Sequence, residues 1–161
     1  MENSAEVKGK LQQLCPTFSG IAKECLQSLF QDTWEIREPW TIVDRLQGTF
    51  DHIFSLGNAN DSFQAIMAVG VSEQTIKSLI PGLDNDEELI DLFGEVGNIF
   101  CGMLMDEEEF TNYFGILTQS VPMHAMSQTF FPRVTGIHGK LFKGDDWLYF
   151  GYAIRHFAIN M

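Results

Sequence analysis

Positive charge is what this chain has least of. Ten Lys and Arg stand against 22 Asp and Glu, giving a formal net charge of −12 and a pI near 4.5. Nucleic-acid binding needs clustered cations to neutralise phosphates, so a dedicated DNA- or RNA-binding role is excluded, and the same sign disfavours docking on an anionic membrane. Cysteine is scarce as well. Cys15, Cys25 and Cys101 are odd in number and show no CxxC or close Cys/His spacing, which supports neither a disulfide framework nor a zinc site. No run of about 18 residues is apolar and uncharged enough to span a bilayer, and the first residues lack the basic-then-apolar order of a signal peptide. The expected location is the cytoplasm, with neither membrane nor nucleic acid as a partner.

Apolar residues are plentiful at 45%, and 14 Phe with three Trp and three Tyr carry more burial than a solvated chain has. No Pro/Gly/Ser-rich linker, repeat or low-complexity block divides the sequence. Residues 1–161 are therefore expected to form one domain, with 1–15 as a polar N-terminal lead-in. Past Pro16, with Thr17 or Ser19 opening the turn, Phe18, Ile21, Ala22, Cys25 and Leu29 recur at helical spacing. Aromatic and apolar segments at 34–37, 50–56 and 63–71 read as meandering strands, punctuated by Pro39, Gly57-Asn58 and Asn60-Asp61. Ser72 caps a short helix that stops at Pro81-Gly82. An acidic run from Asp84 to Glu88 then starts the most regular helix, which reaches about Met105.

That acidic run suits the positive end of a helix dipole. It is not an EF-hand loop, because Leu89 stands where the sharp-turn glycine is required. Residues 110–117 have no clear period. Strand character returns at 121–126, 134–143 and 147–157, with Lys143-Gly144-Asp145-Asp146 as a hairpin turn. The order predicts an α+β fold: a mixed, mostly antiparallel sheet with helices packed on one face. The long apolar segment 147–157 would be an edge that must be paired or covered.

On a wheel at about 100° per residue, Leu89, Leu92, Phe93, Val96, Ile99, Phe100, Met103 and Leu104 share one arc of the central helix, while Asp91, Glu95, Asn98 and Gly102 share the other. A solvated polar face is the ordinary outcome. Here it is interrupted by features that need a reason. Gly94, Gly97 and Gly102 each cost about 0.8–1.0 kcal/mol relative to alanine inside a helix, which close backbone approach would explain. Asn98 is a poor helix former, and Glu95 and Asn98 are i, i+3 neighbours able to act on one external group.

Asp91-x-x-x-Glu95-x-x-Asn98, followed by Gly102 and then Pro122, resembles the signature of the CheC/CheX/FliY family of chemotaxis phosphatases, and the single motif helix is most similar to the CheX branch. Glu-x-x-Asn alone is not specific, since Glu109 and Asn112 repeat it; Asp91, Gly102 and the amphipathic context discriminate. The spacing to Pro122 is slightly longer than in the family. In the first helix Glu24 and Gln27 imitate the motif, but Gly20 and Gln27 stand where Asp or Ser and Asn belong, so one site per chain is expected.

The resemblance implies a CheC-like α+β fold, a homodimer joined through the sheets, and hydrolysis of the aspartyl phosphate on a phosphorylated CheY-type response regulator. It implies Asn98 as the residue that orients the attacking water, and Glu95 as the partner of the receiver's lysine. Asp91, Gly102 and Pro122 would serve partner binding. No cofactor is expected on this chain, Mg²⁺ being the receiver's, and no metal site. The rival reading is a non-catalytic module that binds a receiver or a flagellar switch component. His52, His124, His138 and His156 are scattered without metal or triad spacing, so they read as structural, as do the cysteines and methionines.

Overall fold

The structure, a computed structural model, describes residues 2–83, 85–128 and 131–157. Helix α1 spans Glu2–Phe30. Strands β1 (Thr41–Val43), β2 (Thr49–Ala59) and β3 (Phe63–Val71) follow, then helices α2 (Glu73–Leu79), α3 (Asp86–Met105) and α4 (Glu108–Phe114). Strands β4 (Thr118–Gln119), β5 (Met123–Gln128), β6 (Gly136–Lys143) and β7 (Asp146–His156) close the chain. The strands form one antiparallel sheet in the order β1-β6-β7-β3-β2-β4, with β5 also on the outer side of β2. The α+β architecture expected from the element order is the one observed.

The helices contribute to a single apolar layer on one face of the sheet. Phe18 of α1 is its hub, with ring centroids 5.9 Å from Phe100 of α3, 6.1 Å from Phe110 of α4 and 5.4 Å from Tyr152 of β7. The opposite face carries a smaller cluster of Leu46, Phe50, Ile53, Ala68, Phe131, Tyr149 and Ala153, roofed by loops. Among the described residues no helix is long and apolar enough to cross a membrane.

Several expectations are corrected. The N-terminal residues are no lead-in: α1 starts at Glu2 and runs through Pro16. Val7, Leu11, Leu14, Phe18, Ala22 and Cys25 are all buried at spacings of three and four, so the apolar stripe continues across the proline and its packing overrides the local cost. Residues 34–37 are not a strand, because only Glu35 makes an isolated bridge, to Phe142, and the edge strand is instead β1. Gly57-Asn58 lies inside β2, whose turn comes later. There the Asn60 Oδ1 accepts from the amides of Ser62 and Phe63 at 2.9 and 2.8 Å, while its Nδ2 donates to the Phe114 carbonyl at 2.8 Å. The ambiguous stretch after Glu107 contains α4.

The last strand is also misplaced by the linear reading. β7 is central, paired with β6 on one side and β3 on the other, so it is no edge and gives no reason for dimerisation. The sheet edges are β1 and the β4/β5 side. The β6–β7 hairpin forms where expected, with Gly144 at φ 61°, a conformation that favours glycine.

Pro16 is exposed, removes a helical N–H and packs nothing in the core. Pro16→Ala is expected to raise unfolding free energy by about 1–3 kcal/mol, read as a higher urea midpoint at unchanged slope.

Candidate functional site

The site is built on α3. Asn85 caps it, its Oδ1 accepting from the amides of Glu87 at 2.8 Å and Glu88 at 3.3 Å, and Asp86, Glu87 and Glu88 fill the first turn. Carboxylates there complement the dipole, as expected; Asp84 lies outside the described residues. Leu89, Phe93, Val96, Phe100 and Leu104 are buried against the sheet and α1, and Leu92, Ile99 and Met103 are partly buried.

This burial turns the other arc outward. Asp91 and Glu95 are exposed, and Asn98 and Gly102 half-buried. At about 100° and 1.5 Å per residue these four side positions fall within an arc of about 60°, and Glu95 and Asn98 lie about 4.5 Å apart along the axis. Among the described residues no hydrogen bond or ion pair engages the side chains of Asp91, Glu95 or Asn98, so all three are free to meet an external group.

The three helical glycines have different roles. A Cβ on Gly97 would lie 2.6 Å from Leu56 Cδ2, so this glycine lets α3 settle onto β2. One on Gly94 would lie 2.9 Å from Pro122 Cβ, which places Pro122 directly against α3 beside Glu95. Gly102 has nothing within 4 Å and leaves an open step beyond Asn98. The structure thus gathers Asp91, Glu95, Asn98 and Gly102 on one stripe with Pro122 at its flank. The imitations lie elsewhere: Glu24 and Gln27 are exposed on α1, and Glu109, on α4, accepts from the Thr17 hydroxyl at 3.2 Å.

The thiols beneath are not nucleophiles. Burial, with the charge of Glu95 adding to it, pushes Cys25 up to about 12, and burial does the same to Cys101. Cys25 donates to the Val96 carbonyl at 3.4 Å. Among the described residues no group of three or more His, Cys, Asp or Glu is placed to hold a metal ion.

The histidines are less scattered than the sequence implied. His52, buried in β2, joins Glu73 through Nε2 and His124 through Nδ1, the latter at 2.8 Å. The carboxylate accepts from His52 Nε2–H, and in the neutral form of His52 its Nδ1 accepts from His124 Nε2–H. His124 stacks on Phe54 at 4.6 Å, and Phe54 on Phe93 of α3 at 5.3 Å. No local pattern reveals this cluster, because β2 and β5 are paired across a long stretch of chain.

Neither a protein-family model nor a curated protein sequence matches the chain. Solved structures do. The chemotaxis protein CheX from Desulfovibrio desulfuricans superposes with a TM-score of 0.70 at 11% identity, covering 89% of this chain and 99% of that one. The CheX-CheY-BeF3-Mg²⁺ complex from Borrelia burgdorferi contains a chain that matches with a TM-score of 0.57 at 15% identity, covering 86% and 95%. The middle domain of FliM from H. pylori matches with a TM-score of 0.55 at 10% identity, covering 90% and 91%. The fold is that of the CheC/CheX-like proteins.

Two predictions follow from this geometry. Gly94→Ala is expected to destabilise, since overpacking against a rigid proline ring costs about 1–3 kcal/mol and outweighs the helix-propensity gain, whereas Gly102→Ala is expected to stabilise by about 0.8–1.0 kcal/mol; denaturant titration of both variants checks the contrast. Burial first, then the neighbouring His52, lowers His124 from its usual 6.5, only partly opposed by Asp86. A lowered imidazole binds its proton more weakly folded than unfolded, so its stabilising contribution is present above about pH 6.5 and is lost as pH falls below it. His138, lowered by burial and Lys140, acts in the same direction. Unfolding free energy is therefore expected to drop below pH 6.5, and His124→Gln to flatten that slope, measured by urea titration across pH.

Proposed function

We propose that this chain is a phosphatase of the CheC/CheX family acting on the aspartyl phosphate of a CheY-type response regulator. The observation that carries the reading is the unpaired Glu95 and Asn98, side by side on the outward face of a helix fixed to the sheet, in a chain with the CheX fold. The complex in which a related fold is bound to CheY supports the partner class.

An aspartyl phosphate needs little covalent help, because hydrolysis is chiefly a matter of placing a water in line and stabilising charge. The receiver brings its own Mg²⁺, lysine and hydroxyl for the charge. What this chain adds is position. The Asn98 carboxamide both donates and accepts hydrogen bonds, so it orients the water without being a base. Glu95, exposed and one turn earlier, pairs with the receiver's lysine and sets the helix against the phosphoryl group. Gly102 keeps the surface beyond Asn98 low, Asp91 extends the contact on the other side, and Pro122 walls the flank through Gly94. No cofactor of its own enters this scheme. The likeness to a FliM middle domain favours one second reading, a module that binds a receiver or flagellar switch component without hydrolysis. A homodimer and a cytoplasmic location belong to the proposal as family expectations.

Single-turnover decay of a phosphorylated receiver, followed over a concentration series, tests this. Asn98→Ala is expected to lower the maximal rate about a hundredfold with little change in half-saturation, because its bond matters in the transition state. Glu95→Ala is expected to weaken binding as well as turnover, with Glu95→Gln close to it. Full activity in Asn98→Ala removes the water-positioning mechanism, and binding without any decay in the unaltered protein establishes the non-catalytic module instead.

A further inference from the structure

The scarce cations are not spread evenly. On the sheet face away from α1 and α3, the loop after β1 and the approach to β6 enclose a cavity of about 280 Å³ lined by Arg45, Arg133, His138 and Asp44. A second, of about 370 Å³, lined by His138, Lys140, Tyr149, Phe142 and Glu38, adjoins it at the shared imidazole. Arg45, Arg133 and Lys140 form no ion pair among the described residues, and Arg45 Nε is buried without a hydrogen-bond partner. A buried guanidinium N–H left unmatched is costly, and a ligand acceptor is the natural way to satisfy it.

The histidine is oriented for the same task. Tyr149, whose hydroxyl is held protonated by burial, is hydrogen-bonded to His138 Nδ1 at 3.0 Å. Burial and Lys140 favour the neutral imidazole, which lines both cavities. Lys140 sits over Trp147 at 4.2 Å, which fixes that charge near the rim. Three cations against Asp44 and Glu38 make a locally positive site in a strongly negative chain.

We propose that this cleft binds a small phosphomonoester, its phosphate held by Arg45, Arg133 and His138 and its polar ring placed in the second cavity. The guanidinium forks match phosphate oxygens. The ring lies beside Tyr149 and Phe142, where Glu38 accepts from its hydroxyl or amino groups, as on a sugar phosphate or nucleoside monophosphate. The site is on the other face of the sheet from Glu95 and Asn98 and does not rest on the phosphatase reading.

Titration of the full chain with adenosine monophosphate, inorganic phosphate and adenosine, followed by NMR of side-chain and backbone nitrogens, tests it. Saturable shifts at His138 and the Arg45 and Arg133 guanidiniums are expected with adenosine monophosphate, weaker ones with inorganic phosphate, and none with adenosine. Arg133→Gln is on the surface and is expected to weaken binding about tenfold or more, and Arg45→Gln likewise, while Lys8→Gln on α1 changes nothing. Absence of shifts at millimolar phosphomonoester overturns the proposal. So does unchanged affinity in Arg133→Gln, or perturbation confined to Asn98 and its neighbours on α3.

Discussion

Close approach of α3 to the sheet is the constraint on which the rest depends. Gly97 lets the helix backbone come down onto Leu56, and Gly94 lets Pro122 close on the helix from the β5 side. With the helix pinned on both sides, its rotation is fixed: Phe93, Val96 and Phe100 go inward, and Glu95 and Asn98 have nowhere to go but outward. A side chain at either glycine would lift or turn the helix and displace the polar stripe with it. The propensity lost at these two positions is offset by contact, while Gly102, which touches nothing, has no such compensation within the fold.

The same packing explains why the first helix is as long as it is. Phe18 touches α3, α4 and β7 at once, so α1 is the clamp that holds the helical layer to the sheet. A layer joined through one aromatic hub is cooperative, because removing Phe18 would loosen three elements together. Tolerance of Pro16 inside α1 follows, since Leu11 and Leu14 before it are fully buried in the same layer.

Charge is divided between the two faces. The α3 side presents Asp91, Glu95 and an acidic first turn, whereas Arg45, Arg133 and Lys140 lie on the far side around His138. Such a division favours cationic groups at the first face and anionic ones at the second. The sheet between them keeps the two fields apart.

Local sequence determined much of this. The period of residues 89–105, with Asn85 and the acidic turn before it, defines α3 and the order of its stripe, because helical geometry repeats every few residues and needs no distant partner. The Ser72 cap and the Gly144 turn are equally local. Tertiary structure decided the remainder. That Glu2 to Cys15 are helical depends on a surface to pack against, and the stripe from Val7 to Leu14 gains its energy only when the sheet is present. Whether 147–157 is edge or centre depends on strand order, which alternation within a strand does not encode. Pro122 reaches Gly94, and His124 reaches His52, only because β5 pairs with β2, and Arg45, Arg133 and His138 line one cavity only because the fold brings two distant loops to β6. Pairing across long separations is paid in loop-closure entropy and settled by the whole core, so no short window of sequence carries it.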